Sequence, residues 1–144
     1  MQAVALYKQV LQHDPQNLQA LNSLAWLVSE CQGNPKAALA LIDRAFQLHG
    51  PSAELLDTRG VILRRLGQLS RAIQDLEEAH ANSPKPHIAF HLAQAYQQAG
   101  RTNRALEISG TVKDSESTLA QLHWSERASF KHFAAALQSD SGQK

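Results

Sequence analysis

Residues of one type recur along this chain at a spacing of 33 to 35. Ala25, Gly60 and Ala93 stand 35 and 33 residues apart, and Ala38, Ala72 and Ala105 stand 34 and 33 apart. Gly33, Gly67 and Gly100 fall between the two series each time. A fixed period in this range signals a solenoid, in which no unit buries its apolar face alone and stacked neighbours complete the core. The same constraint bears on function. A solenoid works by the surface it presents, so a catalytic centre is not the first expectation.

Between the breaks, every segment has helical spacing. Leu21, Leu24, Ala25 and Val28 repeat at i, i+3, i+4 and i+7, and Leu56, Gly60, Leu63 and Leu66 trace a second stripe of the same kind. Ala38, Ile42 and Ala45, then Ala72, Leu76 and Ala79, mark the partner helices. Pro15, Pro35, Pro51, Pro84 and Pro86 all lie between such stripes, where a residue without an N–H does no harm. The three glycines suit helix C-terminal positions that need φ > 0. Helices are expected over residues 2–13, 17–31, 35–48, 52–66, 69–82, 86–99 and 102–110, joined by short loops that favour antiparallel neighbours. No stretch alternates with β-branched enrichment, so strands are not expected.

Helix pairs at this period, small residues where the two helices cross, and a proline at the junction resemble the tetratricopeptide repeat. The middle copy matches best, through Leu56, Gly60, Leu63, Gly67, Ala72, Leu76, Ala79 and Pro84. The first copy carries Leu21, Leu24-Ala25, Val28, Ala38, Ile42 and Ala45, with one extra residue around Gly33. The third carries Leu92-Ala93, Tyr96, Gly100 and Ala105, then degenerates at Ser109 and Val112. The resemblance covers residues 1–112 and implies an all-α, right-handed α–α superhelix of antiparallel helix pairs with a C-terminal capping helix. The expected units are 1–16, the second helix of a truncated repeat; repeats at 17–51 and 52–85; a degenerate repeat at 86–117; a capping helix at 118–138; and a disordered tail at 139–144. Residues 113–117 read as a loop, Thr118 to Leu122 as a short turn of helix, and Ser125 as the cap of a last helix carrying Ala128, Phe130, Phe133, Ala134 and Leu137. Because the chain opens on a second helix, it reads as the C-terminal part of a longer array.

Composition excludes several function classes. Fourteen Lys and Arg oppose thirteen Asp and Glu, and a net charge of +1 makes no electrostatic case for nucleic acid or an anionic membrane as partner. No apolar run reaches the roughly 18 residues of a membrane span. The single Cys31 permits no internal disulfide and makes no zinc site alone; it reads as a half-buried residue near a helix end, and leans toward a reducing, cytoplasmic compartment. No nucleophile elbow, phosphate-binding loop, dinucleotide fingerprint or H-E-x-x-H motif is present, so the chain is expected to be no enzyme and to need no cofactor or metal. His87 and His91 share a helix face at i, i+4 but lack a nearby third ligand. His123 and His132 read as ordinary surface or rim residues. Arg59, Arg64, Arg65 and Arg71 read mainly as a solvated face paired at i, i+4 with Glu54, Asp57, Asp75, Glu77 and Glu78; the functional alternative has Arg64, with Arg65, holding an acidic group of a partner.

In tetratricopeptide arrays the first helix of each pair lines the concave surface. Carried onto this chain residue by residue, the resemblance places Asn22, Trp26, Ser29 and Glu30 there, then Asp57, Val61 and Arg64, then His87, Phe90, His91 and Gln94. The partner-binding set is Asn22, Trp26, Asp57, Val61, Arg64, Phe90, His91 and Gln94, a mixed groove with Trp26 and Phe90 as aromatic anchors. The alternative for those two rings is packing between adjacent repeats. The clamp that some arrays use for a chaperone's C-terminal carboxylate is not supported, since Asn22, Trp26, Thr58, His87 and His91 share only polarity with it. The expected function is a non-catalytic scaffold holding a protein or peptide segment in its groove. The alternative is a homo-oligomerisation module that pairs through the exposed first helix, with its Val4, Leu6 and Val10.

Overall fold

The computed structural model describes residues 2–112, 115–124 and 126–141. Its helices are α1 (Gln2–His13), α2 (Leu18–Glu30), α3 (Pro35–His49), α4 (Ala53–Arg65), α5 (Leu69–Asn82), α6 (Pro86–Gln98), α7 (Thr102–Ser109), α8 (Ser115–Gln121) and α9 (Arg127–Ser141). The first seven agree with the expected spans to within two residues at either end. Among the described residues there is no strand.

Local chemistry sets the boundaries. Asn17 accepts a hydrogen bond from the Ala20 N–H at 2.9 Å, Asn34 from Ala37 at 3.1 Å and Ser52 from Leu55 at 3.3 Å, so three helix starts have a side-chain cap. Pro35 and Pro86 occupy first-turn positions, where a missing N–H leaves nothing unpaired. At the other end Gly67 takes φ +74°, and Gln68 N–H closes the turn onto Leu63 O at 2.9 Å. Gly100 repeats this, with Arg101 N–H on Tyr96 O at 2.8 Å. In the first copy the extra residue widens the turn, and Asn34 N–H reaches back to Val28 O.

The helices pack as antiparallel pairs, α2 with α3, α4 with α5 and α6 with α7. α2 also touches α4, and α4 touches α6, so these three form a row along one side of the stack, with α3, α5 and α7 outside them. The core is strung along this row in patches: Leu21, Ala25, Ile42 and Leu55 near the start, and Leu76, Leu92, Tyr96 and Ala105 further on. The α4–α5 crossing is tight because Gly60 has no side chain. A Cβ there would lie 2.5 Å from Leu76 Cγ, so the group pressed into the gap is Leu76, one turn beyond the Ala72 expected to face it.

The C-terminal part departs from expectation. Residues 115–117, expected in a loop, open α8, and a turn separates α8 from α9, in line with the short helical turn over 118–122 expected ahead of a last helix. α9 runs to Ser141, past the expected end at Gln138, since each added helical residue forms one more backbone bond once the helix is nucleated. Ser125 and residues 142–144 lie outside the described residues. α8 packs against α6, and α9 against α8. Phe130 stacks edge-on against Phe90 of α6, with ring centroids 5.2 Å apart, and Phe133 approaches the same ring at 5.2 Å. The segment therefore folds back over the inner row. Cys31, expected half-buried, is exposed at the end of α2.

The charged residues also pair differently. Arg59 grips Asp75 of α5 with two hydrogen bonds, 2.6 and 3.0 Å, while its guanidinium lies 3.9 Å from the Phe46 ring centre. Arg65 meets Glu30 of α2 at 2.5 Å, and Lys85 meets Glu54 at 3.1 Å. These pairs join neighbouring helices; the i, i+4 pairing expected within one helix is not what Arg59 and Arg65 use. Stacking places a facing helix within reach of each long side chain, and that contact replaces one along the helix's own surface.

Candidate functional site

The inner row α2–α4–α6 and the turn between α8 and α9 enclose a cleft of about 410 Å³. Asn22 and Trp26 come from successive turns of α2, Asp57 and Thr58 from α4, and His87 and His91 from α6. Tyr7 of α1 closes one end. His123, Trp124 and Glu126 enter from the C-terminal turn, and His123 lies 6.1 Å from Trp26, ring centre to ring centre.

His91 is the centre of this arrangement and is 2 % exposed. Its Nδ1 is 2.7 Å from Asp57 Oδ1 and its Nε2 is 2.9 Å from Glu126 Oε1. Burial disfavours charge on the ring, but the two carboxylates outweigh it through charge and hydrogen bonding and raise the His91 pKa to about 10. With both nitrogens donating, the ring is held as an imidazolium between the two acidic side chains. The Trp26 ring lies 5.7 Å from the His91 ring, and His87 Nε2 lies 3.9 Å from Asp57 Oδ2.

Two polar atoms of the α2 wall are buried without a hydrogen-bond partner among the described residues: Asn22 Oδ1, an acceptor, and Trp26 Nε1, a donor. Buried polar groups are usually paired, and leaving one unpaired costs about 1–3 kcal/mol.

A second, smaller recess of about 370 Å³ lies across the C-terminal segment from the first, with Arg64, Phe90, Gln94, Gln98, Glu126 and Ser129 in its walls. Burial lowers the Arg64 pKa, the nearby Glu30 acting against that. Arg64 Nη1 reaches Gln98 Oε1 at 3.5 Å, while Arg64 Nε and Gln94 Oε1 are buried without partners among the described residues.

The expected groove residues are thus divided. Asn22, Trp26, Asp57 and His91 face the open cleft, and Arg64, Phe90 and Gln94 face the second recess. Val61 lies buried at 1 % exposure. Phe90, at 0 % exposure, is packed under Phe130 and Leu122, so it is not presented as a free anchor in this conformation. The ring does pack between elements, as the alternative reading had it, but against the C-terminal segment and not an adjacent repeat. Arg65 is engaged by Glu30, and both line the second recess beside Arg64. His123, expected as a surface or rim residue, lines the cleft.

Reading the sequence misses Tyr7, Leu122, Trp124 and Glu126. Phe130 and Phe133, three residues apart on the last helix, carry a legible apolar signal, but nothing local to Glu126 marks it as the partner of a histidine 35 residues earlier. Among the described residues no group of His, Cys, Asp or Glu has the arrangement of a metal site, and no helix is long and apolar enough to cross a membrane.

No protein-family model and no curated protein matches the sequence. Solved structures do. The chain is similar to a crystal structure of MamA, at TM-score 0.66 and 22 % identity over 97 % of this chain and 88 % of that one. It is similar to TTC0263, a thermophilic TPR protein of Thermus thermophilus, at TM-score 0.69 and 21 % identity over 94 % of this chain and 71 % of that one. A further MamA structure matches at TM-score 0.64 and 22 % identity, over 96 % and 81 % of the two chains. With its antiparallel pairs, its inner row of first helices and these neighbours, the chain has the tetratricopeptide-repeat fold.

Proposed function

We propose that the chain is a non-catalytic protein-interaction scaffold that receives an extended segment of a partner protein in the open cleft of its inner face. The observation that carries this reading is the pair Asn22 Oδ1 and Trp26 Nε1. They are an acceptor and a donor one helical turn apart, both buried, both unpaired among the described residues, and both on the wall of the cleft. A peptide group offers one N–H and one C=O, the two functions that these atoms lack. The non-catalytic reading is supported by His91, whose two nitrogens are engaged by carboxylates and cannot serve as a general base. Arg64, Phe90 and Gln94 belong to a part of the inner face that the chain's own C-terminal segment covers, so the first contacts with a partner fall on Asn22, Trp26 and Asp57.

Peptides selected from a random display library against the whole chain test this. Asn22→Ala, and Trp26→Phe, which removes the N–H donor together with part of the ring, should each weaken the selected peptides about tenfold, and Gln47→Ala on the outer α3 should leave them unchanged. Binders indifferent to both inner substitutions would reject the cleft as the receptor.

A second reading, self-association, has its own support. Leu6 and Val10, one turn apart on α1, are 60 % and 39 % exposed. Light scattering over a concentration range separates the two: a concentration-dependent dimer abolished by Leu6→Glu favours association, and a constant monomer excludes it.

A further inference from the structure

The chemistry of the cleft also specifies what kind of side chain a partner must bring. Its charged floor consists of Asp57 and Glu126, 6 % and 8 % exposed, with one imidazolium shared between them. Two carboxylates thus share one ring at the base of the cleft, His87 stands 3.9 Å from Asp57, and among the described residues no Lys or Arg lines the cleft. The walls are aromatic: Tyr7 at one end, Trp26 along the side, and Trp124 on the rim, where it is 69 % exposed. An exposed tryptophan on a turn is expensive to solvate, and here it stands at the mouth of an acidic, aromatic-lined space. Ring faces attract cations through their quadrupole, and a buried carboxylate pair adds a charge to the same end.

We propose that the cleft is a receptor for a cationic side chain, lysine or arginine, carried by the partner segment, with Asp57 and Glu126 below the charge and Tyr7, Trp26 and Trp124 around its alkyl stem. The proposal rests on the reading of the cleft as the partner-binding surface and narrows it. The second recess shares Glu126 but adds Glu30, Arg64 and Arg65, so its charges are mixed and it lacks the tryptophan walls of the open cleft. A lysine stem of four methylenes supplies the apolar length such walls require, and its head reaches the floor while the backbone pairs with Asn22 and Trp26.

The chain contains two tryptophans, and both line this cleft, so its indole signals report on the site and on nothing else. The full chain is titrated with acetyl-lysine methylamide and, as the neutral control of equal length, acetyl-norleucine methylamide, while the two indole N–H resonances are followed. The expected result is a saturable shift of both resonances with the lysine probe and none with norleucine. Trp124→Ala, a change at an exposed position, should weaken the lysine probe about two- to fivefold, read at Trp26. Equal shifts from both probes, stronger binding of acetyl-glutamate methylamide, or no saturable shift would overturn the proposal. Failure here with library peptides that still depend on Asn22 and Trp26 removes the cationic specificity and leaves the scaffold reading standing. Loss of both removes the scaffold reading as well.

Discussion

His91 of α6 and Glu126 of the C-terminal turn lie 2.9 Å apart, 35 residues distant in sequence, and their contact ties the last two helices to the inner face. Asp57 holds the other side of the ring at 2.7 Å, His87 stands within 3.9 Å of the same Asp57, and Trp26 and Phe90 complete the surroundings. Folding raises the His91 pKa from its ordinary 6.5 to about 10, so the folded chain holds this proton more tightly than the unfolded one. The stability it contributes is therefore complete below pH 6.5, declines as pH rises, and is gone above about pH 10. Urea midpoints measured from pH 6 to pH 10 should fall for the parent chain and lose that component of the slope in His91→Gln. Parallel pH curves for the two would show that the pair carries no linkage.

Phe130 and Phe90 make the apolar half of the same attachment. Phe130→Ala should cost about 3–5 kcal/mol locally. Its effect should be confined to the C-terminal segment, because cores in a stacked array are coupled mainly to their nearest neighbours. Hydrogen exchange should show residues 118–136 losing protection while α2 to α5 keep theirs. Phe90→Ala should have the same consequence, since it removes the other ring of this contact.

Gly60 and Leu76 set the distance between α4 and α5. A methyl group at Gly60 would fall 2.5 Å from Leu76 Cγ and 2.9 Å from Cδ2, so Leu76 or a helix must move. Gly60→Ala should destabilise by about 1–3 kcal/mol despite alanine's better helix propensity. Denaturant titration checks this; an increase in stability would mean that the pair separates freely.

Arg59 joins α4 to α5 through the fork on Asp75 and through its contact with Phe46 of α3. Asp75 raises the Arg59 pKa by its hydrogen bonds, against the effect of burial. Arg59→Lys keeps the charge but loses the second hydrogen bond and the planar contact over the ring. A loss of about 1–2 kcal/mol is expected, with no change in the cleft residues, measured by thermal unfolding and by the unchanged indole resonances of Trp26 and Trp124.

Much of this architecture is written locally. Ala25, Gly60 and Ala93, spaced by one repeat, and Gly33, Gly67 and Gly100 in the turns determine where helices start, cross and stop, because capping, φ > 0 and close approach each depend on a few adjacent residues. The periodicity also determines that α2, α4 and α6 share the inner side, and so which faces of Asn22, Trp26, Asp57 and Phe90 turn toward it. What the repeat cannot encode is the fate of the part that does not repeat. Only the tertiary structure decided that α8 and α9 fold back onto α6, that Phe90 is covered by Phe130 and Phe133, and that Glu126 completes a buried pair with His91. The physical reason is that these contacts join residues 35 to 43 positions apart with no periodic partner. Their free energy comes from aromatic burial and paired charge in three dimensions; the spacing of Phe130 and Phe133 marks an apolar face but not the surface that it covers.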